Sequence, residues 1–227
     1  MKRLLPIIII AIVLLITVGG GWLLMRVPTS TPPPQPSLAS ATPTLRAAPP
    51  DTQPAHYKGR IDAPVQLEEF GDYQCPPCGN FHPIAKRVIA AYGDRIRFSF
   101  RNFPLPAIHK FASVAARAAE AAGQQGKFWE MHDLIYERQQ EWSKAEDARP
   151  FLIKYAQELG LDVNRFQQDL DGAVTGMRVA QDADLGSLRG VHGTPTLFLN
   201  GREVPFEQMM DYDKLRAVID AALAGKA

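Results

Sequence analysis

The chain is poor in cysteine, with two in 227 residues, at positions 75 and 78. A disulfide scaffold needs several bridges spread along a short chain, so that class is excluded. Closing so small a loop removes little entropy from the unfolded chain, so this pair is a weak structural staple. A structural zinc site needs four ligands, and there is no second cysteine pair to supply them. An excess of one charge is missing too: 25 Lys and Arg face 24 Asp and Glu, and no basic block stands out. That balance gives no footing for nucleic acid as a partner. No internal repeat is present. A cysteine pair that stabilises little points to reactivity, with no cofactor and no metal expected.

The N-terminus reads as something other than a folded domain. Met1-Lys2-Arg3 is basic, and Leu4 to Met25 then runs without a charge. A membrane-spanning helix needs about 20 apolar residues and a secretory core only about 7–15, so the length favours a signal anchor over residues 1–26. No A-x-A-like cleavage site follows directly, and the run is expected to stay attached; a cleaved signal peptide is the alternative. Lys2 and Arg3 bias the short tail to the cytoplasm and the remainder to the extracytoplasmic side, where disulfides persist. Residues 27–58, with Pro28, Pro32, Pro33, Pro34, Pro36, Pro43, Pro49, Pro50 and Pro54 among Ser, Thr and Ala, read as an extended linker.

From residue 59 the pattern becomes that of an α/β domain. Pro64 to Phe70 reads as a strand, Pro76 to Tyr92 as a helix, and Ile96 to Phe100 as a second strand. Helical spacing follows through His109–Gln124, Lys127–Gln140, Pro150–Leu159, Asp162–Leu170 and Val174–Leu188, an insertion over about 105–189. Thr196–Leu199, Asn200-Gly201 and Arg202–Val204 predict a β-hairpin, because both turn residues tolerate positive φ. Asp211–Leu223 predicts a last helix.

Cys75-Pro76-Pro77-Cys78 falls where a strand gives way to a helix. Free N–H groups and the partial positive charge at a helix N-terminus stabilise a thiolate. Proline suits the first helical turn because its missing N–H has no partner there. Cys75 is the expected nucleophile and Cys78, one turn in, the resolving thiol. Cys75, Cys78 and His82 fall near one helical face, so a metal site can be drawn on them. The plainer reading of His82 is a polar residue on the exposed side of the helix, and His192 reads as a loop residue.

With Asp62-Ala63-Pro64-Val65 through Phe70, Asp72-Tyr73-Gln74-Cys75-Pro76-Pro77-Cys78 and Gly193-Thr194-Pro195-Thr196, residues 59–227 resemble the DsbA-like branch of the thioredoxin superfamily. The resemblance implies a thioredoxin-like fold with an inserted helical subdomain. It implies that Pro195 is cis and faces the cysteines, with Thr194 offering its backbone to an extended substrate. It also implies that Glu69 is a buried acid that helps move protons, Glu68 being the competing candidate. Pro76 and Pro77 would tune the thiol pKa. DsbA itself has histidine where Pro77 stands, and proline donates no hydrogen bond, so a strongly oxidising poise does not carry over. The function implied is a membrane-anchored, extracytoplasmic thiol–disulfide oxidoreductase acting on cysteine-containing proteins, an oxidase reoxidised by a DsbB-like or quinone-linked membrane partner. A reductase or isomerase is the alternative. From another class comes a metal-binding chaperone using the dithiol.

Overall fold

A computed structural model describes residues 55–225. The expected anchor at 1–26 and nearly all of the expected linker lie outside the described residues. Among those described, no helix is long and apolar enough to cross a membrane.

Five strands form one sheet in the order β1-β3-β2-β4-β5: β1 His56–Lys58, β2 Val65–Gly71, β3 Ile96–Asn102, β4 Thr196–Leu199 and β5 Arg202–Glu203. The β2–β3 pair is parallel, joined through helix α1 (Pro76–Tyr92); the other pairs are antiparallel. Helices α2 (Ala112–Gly123), α3 (Phe128–Glu137), α4 (Gln139–Trp142), α5 (Arg149–Glu158), α6 (Val163–Asp171) and α7 (Ala173–Leu188) form the insertion between β3 and β4. Helices α8 (Phe206–Met209) and α9 (Tyr212–Leu223) follow the hairpin. The hairpin turns at Asn200 and Gly201, with φ of 48° and 82°, and pairs Leu199 with Arg202 as the Asn-Gly signal requires.

Strand β1 falls inside the stretch read as linker. Three residues are too few to show alternation, and their partners are distant in sequence. His56 pairs with Phe100, stacks on Phe128 at 3.5 Å and reaches Glu120 through Nε2 at 2.9 Å.

The sheet separates two cores. Successive side chains of a strand point to opposite faces, so Val65, Leu67 and Glu69 share one face of β2 while Gln66, Glu68 and Phe70 share the other. Val65 and Leu67 belong to the larger core with Phe81, Ala85 and Val88 of α1 and Leu215 and Ile219 of α9. Phe70 joins Phe103, Leu185, Val191 and Phe198 on the far side. This alternation delivers a carboxyl at position 69 into the apolar layer beneath α1.

Candidate active site

The turn from β2 into α1 is built by one buried carboxylate. Asp72 Oδ1 accepts from Gln74 N at 2.8 Å, and Oδ2 accepts from Leu105 N at 2.9 Å and meets His109 Nδ1 at 2.8 Å. Cys75 N donates to the Asp72 carbonyl at 3.1 Å. These bonds fix the loop that ends in Cys75, which caps α1 in an extended conformation with Pro76 and Pro77 as the first helical residues. Phe100, Tyr73, His132 and Tyr136 pack as rings beneath that turn.

Both cysteines are free thiols. Cys78 is fully buried and Cys75 is 5% exposed, beside the exposed Pro76. The two differ sharply in acidity. A hydrogen bond from Cys78 is the largest influence lowering the Cys75 pKa to about 6, against burial and with help from the Thr194 side chain and the Cys78 N–H. Burial, then the hydrogen bond to Cys75, holds Cys78 well above an ordinary thiol. One sulfur is therefore an anion near neutral pH and the other keeps its proton.

The loop before β4 closes over this pair. The Thr194–Pro195 peptide bond is cis, Pro195 is buried, and Cys75 Sγ lies 3.2 Å from the Thr194 carbonyl, to which it donates while protonated. His192 is exposed. Glu69 is 2% exposed, and its Oε1 has no hydrogen-bond partner. Burial pushes its pKa up to about 8, and the charge on Cys75 adds to the effect. Glu68 faces the other way and pairs with Arg101 at 2.8 Å and with Arg189. The two adjacent acids thus sit in opposite surroundings, one desolvated and one ion-paired.

His82 is not on an exposed face. It is 5% exposed because α3 of the insertion covers that side of α1, and its Nε2 meets Asp133 Oδ1 at 2.9 Å. Among the described residues, the group able to hold a metal is His82, His132 and Asp133, whose ligand atoms lie within 4.8 Å of one another. Neither cysteine belongs to it. His132 Nδ1 is already engaged with Tyr73 OH at 3.0 Å, and Asp133 Oδ2 with Lys86 at 3.2 Å.

Four residues around the cysteines escape a reading of the sequence. Asp72 carries a local trace, since aspartate two residues before an amide that it accepts from is a turn signature. Gln74 spans to the insertion, its Nε2 donating to Ser143 O at 2.9 Å and its Oε1 accepting from Phe111 N at 2.6 Å. Gln139 and Tyr136 arrive from the insertion, far away in sequence, with no local signal.

The sequence profile of the family described as Thioredoxin matches residues 51–221. A Na(+)/H(+) antiporter NhaA 1 of Salinispora arenicola is 40% identical over 177 residues, 78% of this chain and 26% of the relative. The chain spans about a quarter of the length of such curated relatives, which carry the antiporter name as whole proteins. The crystal structure of oxidised BdbD from Bacillus subtilis is similar at a TM-score of 0.64 and 27% identity, covering 74% of this chain and 92% of that one. A thioredoxin-like oxidoreductase from Silicibacter pomeroyi matches at 0.62 and 27%, over 76% and 92% of the two chains.

Proposed function

We propose that this chain, which belongs to the thioredoxin family and to its DsbA-like thiol–disulfide oxidoreductases, oxidises cysteine pairs of client proteins outside the cytoplasm. The supporting observation is the asymmetry of the dithiol: Cys75 lowered to about 6, Cys78 raised well above its ordinary value. A pair whose reduced form is stabilised as a thiolate gives up its disulfide readily and is the stronger oxidant.

In the oxidising direction a client thiolate attacks Cys75 Sγ of the Cys75–Cys78 disulfide. The S–S bond breaks, a mixed disulfide forms at Cys75, and the electron pair leaves on Cys78. Glu69, still protonated near neutral pH with its pKa at about 8, is the acid that returns a proton to that buried sulfur. A second client thiolate then attacks the client sulfur of the mixed disulfide and releases Cys75 as a thiolate. The client has lost two electrons and the enzyme holds them. Thr194, at the cis-Pro195 bond over Cys75, would orient the client backbone, while Pro76 and Pro77 restrict the amides available to the sulfur.

Reoxidation then needs an electron acceptor, for which a DsbB-like or quinone-linked membrane protein is the fitting class. The uncharged run Leu4–Met25 and the proline-rich stretch after it support a single-pass cell-membrane anchor. They also support a catalytic domain held off the surface on the periplasmic or extracytoplasmic side.

The test is the reduction potential of the pair against glutathione. A value above about −200 mV, between thioredoxin and DsbA, is expected, and one near about −270 mV would reverse the direction to a reductase.

A further inference from the structure

The first turn of α1 is short of donors. Pro76 and Pro77 have no N–H, and Gly79 N is spent on the Cys75 carbonyl at 3.2 Å. Of residues 76–79 only Cys78 has an amide left for the Cys75 sulfur, and that bond favours the thiolate. Whether the sulfur can use this one donor depends on where the Cys75 backbone is held.

Besides the Asp72 carbonyl and the Gly79 N–H, one side chain of the insertion holds it. Gln139 is 5% exposed, and its Nε2 donates to two carbonyls at once, Tyr73 O at 2.8 Å and Cys75 O at 2.9 Å. Its amide lies flat on the helix at Gly79, where a Cβ would stand 2.8 Å from Oε1, 3.1 Å from Cδ and 3.2 Å from Nε2. Any larger residue at 79 pushes the amide away. The glycine and the glutamine therefore form one contact that ties the inserted helices to the nucleophile's own peptide unit.

We infer that Gln139 is a positioning residue for thiol–disulfide exchange: by clamping the Tyr73 and Cys75 carbonyls it keeps the Cys75 sulfur aimed at the Cys78 amide. Its role rests on the proposed reading that Cys75 is the sulfur that bonds to the client. Gln139 touches neither sulfur nor client, and it acts only through the backbone of residues 73–75.

The test uses Gln139→Met, which keeps the side chain's length and removes both donated bonds, together with Gly79→Ala. In reduced protein, thiolate absorbance is titrated and Cys75 alkylation by iodoacetamide is timed. Loss of the clamp is expected to move the Cys75 titration up by about one pH unit and to slow alkylation at pH 6 about fivefold. Gly79→Ala should shift it in the same direction, and should add nothing in the Gln139→Met background because both break the same contact. An unmoved titration in Gln139→Met, with only thermal stability lowered, overturns the inference. So does a Gly79→Ala effect that adds in full. If Gln139→Met does not fold, Gly79→Ala alone decides: a shifted titration supports the clamp and an unmoved one overturns it. Wild type run alongside separates the two claims. No exchange by wild type defeats the oxidoreductase reading, whereas exchange by wild type with unmoved variants defeats the clamp alone.

Discussion

Replacing Glu69 by glutamine should stabilise the protein by an amount that grows with pH. The carboxyl is buried in the apolar layer under α1, with an ordinary value of 4.5 raised to about 8. Between those values the unfolded chain has released the proton and the folded chain still holds it. The folded state is thus favoured least where the group ionises only on unfolding: stability is full below about 4.5 and drains away as pH rises towards 8. The slope is about 1.4 kcal/mol per pH unit, so between pH 5 and 7 wild type should lose roughly 2.5 kcal/mol relative to Glu69→Gln. Glutamine cannot titrate, and the cysteine titrations common to both proteins cancel to first order. Urea unfolding of reduced wild type and variant at pH 5, 6, 7 and 8, extrapolated to water, reads the difference directly. A wild-type-minus-variant difference that stays flat across this range would refute a desolvated, protonated Glu69. A difference running the opposite way would mean that the carboxyl is stabilised as an anion.

Pro77→Ala restores an N–H to the first turn of α1 within reach of the Cys75 sulfur. The alkylation profile of Cys75 should then move below its midpoint of about 6, and an unchanged profile would mean that the amide at 77 does not face the sulfur. Trp142, fully buried, donates Nε1–H to the Ile135 carbonyl at 2.9 Å inside the insertion. Trp142→Phe should cost about 1–3 kcal/mol through the lost bond and the void, read as a lower urea midpoint with the Cys75 titration intact. An unaltered midpoint would contradict the packing described.

Much of the site was legible because it is local in sequence. Glu69 is singled out by the family resemblance, with Glu68 competing, and the proline-capped start of α1 is written in Cys75-Pro76-Pro77-Cys78. Asn200-Gly201 specifies its own turn. What escaped depends on pairings across the chain. His56–Lys58 becomes a strand because the β3 edge and Phe128 accept it, not because three residues alternate. His82 reads as exposed on an isolated helix and becomes buried once α3 carries Asp133 and His132 against it. Gln139 has no sequence signature, since its work is done on carbonyls 64 and 66 residues away. A long insertion of helices can fold back at many places, and periodicity does not say which.

The central claim is that Cys75 is the sulfur that bonds to the client while Cys78 waits as the resolving thiol. Cys78→Ser removes resolution, so incubation with a peptide disulfide should leave a stable mixed disulfide that mass spectrometry maps to Cys75. Cys75→Ser under the same conditions should trap nothing. A mixed disulfide found on Cys78 in the Cys75→Ser protein, with none on Cys75 in Cys78→Ser, would contradict the account.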